Sequence, residues 1–214
     1  LSQRAVEINR KIKIHVKIDT GMGRIGFLWD KHNHQAANEI AELCKLPGLD
    51  AEGIFTHFAR ADEKDKTATD EQYKRFCKVL DVIKENGIDI PIRHAGNSAA
   101  IISYPMELDA ARAGIITYGL PPSDEIGPET FLMPALSLYS HIAYIKTVQP
   151  GTPISYGGTY VAESERVIAT IPVGYADGYP RSLSDKGQVL IGGKRARICG
   201  RVCMDQMMVD VTNI

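Results

Sequence analysis

Residues 11–19, KIKIHVKID, alternate strictly: Ile12, Ile14, Val16 and Ile18 share one face, and Lys11, Lys13, His15, Lys17 and Asp19 share the other. A period of two predicts a strand with one apolar face. From about 33 to 45 the period changes. Ala37, Ile40, Ala41 and Cys44 fall at i, i+3, i+4 and i+7, the spacing of an amphipathic helix. EGIFTHFA (52–59) predicts a second short strand. A second helix is predicted from Thr69, with Gln72 completing a capping box, Tyr73, Phe76, Cys77, Leu80 and Ile83 on its buried face, and Gly87 at its end. After IPIRHAGN (90–97) a short helix opens at Ser98, and AARAGIITYG (110–119) reads as one more strand. Four such units in series imply parallel βα structure, with active-site groups at the carboxyl ends of the strands.

Pro121, Pro122, Gly127 and Pro128 then punctuate a polar stretch, which is read as a domain boundary. Beyond it the pattern shifts to short strands and turns: ALSLYSHIAYIKTV, RVIATIPV, QVLIGG, KRARICGRV and MMVDVT. The second part is therefore expected to be all-β.

Composition changes this picture little. With 44% hydrophobic residues and a net charge of −1, the chain has an ordinary core and no field that would gather nucleic acid or an anionic membrane. Small molecules are the expected partners. Cys44, Cys77, Cys199 and Cys203 form no CxxC pair and lack the neighbouring histidines of a zinc site, so free thiols in a reducing, cytoplasmic setting and no metal are expected. No apolar run suits a membrane span, and no leader sequence is read.

Polar groups collect at four predicted strand ends: Lys17 through Arg24, His57, Asn97 with Ser98, and Arg112 with Gly114. Taken singly each has a plain alternative. DTGMGRIG (19–26) lacks the third glycine of a dinucleotide site and can be a simple turn; a lone His57 can be a satisfied core histidine. At one end of a parallel barrel, however, they would form a cationic pocket suited to a phosphorylated anion, with Ser98 at a helix start and the backbone near Gly114 as donors. The second part holds three denser strings, SYGGTY (155–160), GYADGYPR (174–181) and GRVCMDQMMVD (200–210).

These three strings, with HVKIDTGMGRIG, FTHFARADE, NSAA and RAGIITYG, occur in an order and spacing that resembles the alanine racemases, from about residue 11 to residue 214. The resemblance implies an enzyme that interconverts L- and D-alanine with pyridoxal phosphate (PLP), supplying D-alanine for peptidoglycan. It also implies a fold: residues 1–126 as the second half of a TIM-type (β/α)8 barrel that binds PLP, and residues 127–214 as part of a mainly β C-terminal domain. By matching positions, Arg112 resembles the arginine that donates to the pyridine nitrogen. A guanidinium does not give up its proton, so that nitrogen stays unprotonated, the electron sink is weakened, and quick return of the proton is favoured. Asn97, Ser98, Gly114 and Ile115 resemble cofactor-binding positions, and Arg24 resembles an arginine near the cofactor hydroxyl and the substrate carboxylate. Lys17 matches a lysine carbamylated in some family members; its plain alternative is a barrel lysine paired with Asp19.

Racemisation needs a group on each face of the α-carbon. Tyr156 matches the tyrosine of one face. A phenol ordinarily titrates near about 10 and needs tuning, for which His57 bridging toward Arg112 resembles the family's network. Tyr175, Met204 and Asp205 match pocket positions that, with Tyr156, come from the partner subunit, so a homodimer with a shared active site is implied. The other face belongs in the family to the lysine that holds PLP, in a KANAYGHG-like string absent here. A polypeptide of these 214 residues alone is therefore expected to be inactive. The alternatives are a racemase of serine or broader specificity, a non-catalytic PLP-binding remnant, and a PLP-dependent decarboxylase. The last expects an acidic partner for the pyridine nitrogen, which Arg112 opposes.

Overall fold

The computed structural model describes residues 1–29, 35–126 and 130–214. The chain divides into two compact units, Leu1–Leu136 and Ser137–Ile214. Gly127 and Pro128 of the expected boundary, and the first residues of the helix expected from about 33, lie outside the described residues.

The first unit runs α1 (Ser2–Glu7), β1 (Ile12–Asp19), β2 (Phe27–Leu28), α2 (Gln35–Cys44), β3 (Leu49–Phe55), α3 (Thr67–Glu85), β4 (Ile92–His94) and α4 (Ser98–Ser103). Its sheet has the order β2-β1-β3-β4, and every pair is parallel. The alternation in β1 sorts its faces. Val16 and Ile18, with Ile54 of β3, pack against Ala37 and Ile40 of α2 and Phe76, Val79 and Ile83 of α3. His15 and Lys17 take the opposite face, toward which His94 and Phe55 also turn. On that face Lys17 and Asp19, toward the carboxyl end of β1, are buried, whereas Lys13 and His15 are exposed.

Three local expectations are corrected. The third helix begins at Thr67 with Lys66 as N-cap and no side-chain cap; Thr69 is buried inside it, and Gln72, instead of closing a capping box, bonds to Ala59, His57 and Thr20. Tertiary partners have outbid the local motif. Its buried face also turns slightly, to Thr69, Gln72, Phe76, Val79 and Ile83, with Tyr73 and Leu80 only partly covered. The run 110–119 is not a strand: Ala110 makes a single parallel bridge to His94, and Ile115–Tyr118 form a 3-10 turn. The backbone N–H groups of Gly114 and Ile116 go to the Ser98 hydroxyl instead of a neighbouring strand.

The second unit is built from β5 (Tyr144–Val148), β6 (Pro153–Ile154), β7 (Tyr160–Val161), β8 (Arg166–Ile171), β9 (Gln188–Ile191), β10 (Lys194–Arg197) and β11 (Met207–Asp210). All its pairs are antiparallel, in a three-stranded sheet β11-β8-β5 and two hairpins, β9-β10 and β6-β7. Ala169, Ile198, Val202, Met207 and Val209 form one core cluster, and Ile154, Ala162, Ile168 and Cys199 a second. The expected strand over 135–148 starts only at Tyr144, because Tyr144 already pairs near the end of β8 and the residues before it run past its last partner. Among the described residues no helix is long and apolar enough to cross a membrane, and the four cysteines are free.

Candidate active site

Arg112 is the hub of the first unit's polar face. Its Nη2 donates to the carbonyls of Thr56 (2.9 Å) and Ala95 (3.2 Å) and to His57 Nδ1 (3.3 Å), while Nη1 donates to His94 Nδ1 (2.5 Å). The Phe55 ring stacks on His94 and lies 5.0 Å from the guanidinium carbon. Two carbonyls, two imidazoles and an aromatic face thus fix the guanidinium plane. All these bonds leave from the terminal nitrogens, and nothing among the described residues accepts from Nε.

The donors dictate the histidine tautomers. A guanidinium only donates, so His94 Nδ1 must accept, which leaves His94 neutral with its proton on Nε2. That N–H points at His15 Nδ1, 2.7 Å away, and His15 Nε2 in turn lies 3.8 Å from Glu52, which also pairs with Lys13. The chain of contacts therefore runs in one direction, Arg112 to His94 to His15 to Glu52. Burial, then the charge of Arg112, then His15 push the His94 pKa down to about 4. Burial first and Arg112 second also lower His57.

Two backbone features make room for this chain. The register between β1 and β3 shifts at Ile14/His15, a bulge that brings Glu52 beside Lys13 and His15. Gly53 sits directly against the His15 ring, where a Cβ would collide with the imidazole. His15, His94, Glu52 and Gly53 were not singled out from the sequence. A register of the strands, pairing His15 with Gly53 and His94 with Phe55, is the information that finds them.

Asp19 organises the loop that follows β1. Its carboxylate accepts from the backbone N–H groups of Gly21, Met22, Gly23 and Arg24 at 2.8–3.1 Å. Burial opposes its ionisation, but these donors together hold its pKa below the ordinary carboxylate value. The loop presents Arg24 with an exposed side chain. Asp19 is thus engaged by backbone, and Lys17 Nζ is buried with no hydrogen-bond partner. Burial, followed by the charge of Arg24, lowers the Lys17 pKa. His57 lies two residues beyond β3, and its carbonyl is held by Gln72, itself bonded to Thr20, whose hydroxyl meets that of Thr56 at 2.7 Å.

Asn97 caps α4, accepting from Ala100 and donating to the Phe58 carbonyl. Ser98 Oγ accepts from Gly114 and Ile116 and so keeps its own O–H to donate. Gly114 and Ile115 are exposed beside it. The structure therefore gathers Lys17, Arg24, His57, Asn97, Ser98, Arg112, Gly114 and Ile115 at the carboxyl ends of the parallel strands.

In the second unit three strings converge. Tyr175 and Ala176 donate from their backbones to the carbonyls of Cys203 and Met204, at 2.9 and 2.8 Å, and Ser155 Oγ donates to the Arg201 carbonyl at 2.7 Å. Tyr156 (70%), Tyr175 (44%) and Met204 (59%) stand exposed along these segments, with Asp205 next to them. This patch and the Arg112 network belong to different units.

Two sequence profiles match, "Alanine racemase, N-terminal domain" over residues 1–122 and "Alanine racemase, C-terminal domain" over residues 135–214. The chain belongs to the alanine racemase family. It is 54% identical over 207 residues to the alanine racemase of Desulforamulus reducens, covering 96% of this chain and 55% of that protein. Among solved structures, the alanine racemase of Clostridium difficile 630 superposes with a TM-score of 0.92 at 43% identity, covering 100% of this chain and 55% of that one. The same enzyme solved in complex with cycloserine superposes at 0.87 with 40% identity. This racemase-family chain spans about half the length of the curated relatives it matches. The parallel first unit and antiparallel second unit are the corresponding portions of the family's TIM barrel and β-domain.

Proposed function

We propose that the whole protein interconverts L- and D-alanine with PLP, and that this chain contributes the grip on the cofactor and one of two proton-transfer groups. The described residues suit that cofactor. Arg112 offers an unpartnered Nε donor fixed in direction by four other bonds, Ser98 offers a free O–H, and the backbone N–H of Ile115 lies beside it. Arg112 would hold the ring nitrogen, Ser98 and Ile115 the phosphate end, with Asn97 and Gly114 placing them there through the α4 cap and the bond to Ser98 Oγ, and Arg24 the ring hydroxyl and the substrate carboxylate. When bound, PLP supplies the electron sink that makes the α-proton removable. Tyr156 takes or returns that proton on one face, and Tyr175, Met204 and Asp205 line the pocket. His57, neutral and in contact with Arg112, orients the network behind the phenol.

The observation that carries this reading is the Arg112 guanidinium, locked by Thr56, Ala95, His94 and His57 with Nε left to donate. Because Tyr156 and Arg112 lie in separate units and the resemblance implies that Tyr156 comes from the partner subunit, the active site is read as shared within a homodimer. The proposed setting is the cytoplasm, and the proposed use of D-alanine is peptidoglycan synthesis. The test is racemisation of L-alanine by the full-length protein, compared with L-serine. Turnover of alanine with a cofactor absorbance abolished by borohydride is expected. Cofactor binding without racemisation of either substrate would overturn the proposal, and faster turnover of serine would replace alanine by a broader substrate.

For Lys17 the reading is a carbamate. A buried amine with a lowered pKa and no hydrogen-bond partner is nucleophilic: its lone pair forms a C–N bond to carbon dioxide and one proton leaves for solvent. The product is an anion suited to pair with Arg24. Carbon-13 bicarbonate should give a carbamate resonance that Lys17→Gln removes.

A further inference from the structure

Ser155 has φ 66° and ψ −176°, a backbone conformation close to being reserved for glycine. Other residues persist there only when their surroundings leave no alternative, and such residues collect at functional sites. The surroundings of Ser155 are specific. Its hydroxyl donates to the Arg201 carbonyl at 2.7 Å, and Cys203 Sγ lies 3.5 Å from the same oxygen. Gly200, at φ 78°, presses so closely that a Cβ there would sit 2.6 Å from both the Ile154 carbonyl oxygen and Ser155 Cβ. Gly157 and Gly158 follow with φ 74° and 53° and reverse the chain. Tyr156 is left at the tip, 70% exposed, and among the described residues no hydrogen bond holds its hydroxyl.

Within its own unit, therefore, no side-chain bond fixes where the Tyr156 phenol points; the backbone on either side does. We infer that Ser155 is a positioning residue, whose hydroxyl tie to Arg201 holds a strained backbone that aims Tyr156. The inference rests on the reading of Tyr156 as a proton-transfer group. Alanine at 155 keeps the strain and loses the tie, so the loop relaxes and the phenol swings. Glycine loses the tie but accepts the conformation, so part of the aim survives.

The experiment compares Ser155→Ala, Ser155→Gly and Tyr156→Phe in the full-length, cofactor-loaded protein. It measures kcat, KM and the isotope effect with L- and D-alanine deuterated at Cα, and the fluorine NMR of 3-fluorotyrosine at 156. Ser155→Ala should lower kcat by about tenfold to a hundredfold with KM nearly unchanged. The isotope effect should rise in the direction in which Tyr156 takes the proton and fall in the other, and the fluorine resonance should shift or broaden. Ser155→Gly should lose less. Parent kcat in Ser155→Ala, or a loss that follows cofactor occupancy with isotope effects and fluorine resonance unmoved, would overturn the inference. If Tyr156→Phe itself leaves kcat and isotope effects unchanged, the reading of Tyr156 falls; if it alters them and Ser155→Ala does not, only the role of Ser155 falls.

Discussion

The two candidate-site regions, one in each unit, are built on opposite plans. Around Arg112 the guanidinium is fixed by two carbonyls and two imidazoles in a half-buried network, and its donors decide which histidine nitrogens carry protons. Around Tyr156 the side chain is exposed and the backbone is bonded, through Ser155, Tyr175 and Ala176, to the segment 201–204. The difference follows from the tasks proposed for each. A group that holds a charge steady gains from burial and many partners. A group that must meet a substrate and pass a proton has to stand clear of its own domain, and the backbone is what remains to aim it.

The largest effect that separates the halves is expected at Tyr156. Tyr156→Phe should lower kcat by about 10² to 10⁴ while the melting temperature stays close to the parent's, since the ring is exposed; steady-state kinetics beside calorimetry checks both. Arg112→Lys should cost about 10² to 10³ in kcat, because an ammonium cannot reproduce the planar fork that meets Thr56, Ala95, His94 and His57 together. Here, unlike at Tyr156, the cofactor absorbance should also shift, which a spectrum of the loaded variant reads.

The contrast sharpens with pH. The His94 pKa is depressed, from its ordinary value to about 4 in the fold. As pH falls below about 6.5 the unfolded chain takes up a proton that folded His94 refuses, so stability present at neutral pH drains away between about 6.5 and 4, by at most about 3 kcal/mol. Chemical denaturation across that range should show a slope that His94→Gln flattens. The smallest effect is expected from Gly53→Ala, whose Cβ would push into the His15 ring. Destabilisation of about 1–3 kcal/mol is expected from urea unfolding, with the Tyr156 half unaffected.

How much of this was legible in the sequence varies with the range of the interaction. β1 was readable because its alternation is local, and α2 because one face of Ala37, Ile40 and Ala41 is buried. Thr69 and Gln72 misled because a capping box is a local expectation, whereas Gln72 is taken by His57, Ala59 and Thr20 from elsewhere in the fold. The run at 110–119 misled for the same reason, its N–H groups being claimed by Ser98. Motif strings pointed to Arg112, His57 and Tyr156, but His15 and His94 are 79 residues apart and meet only through strand register. The strain at Ser155 has no sequence signal beyond its place before Tyr156-Gly157-Gly158.

On the function proposed, neutral His94 and His57 hold the Arg112 cation as the donor that keeps the cofactor ring unprotonated. Nitrogen-15 NMR of the full-length protein loaded with PLP labelled at the pyridine nitrogen tests it directly. The resonance of an unprotonated, hydrogen-bonded pyridine is expected at neutral pH, and the resonance of a pyridinium would show that Arg112 does not play this part.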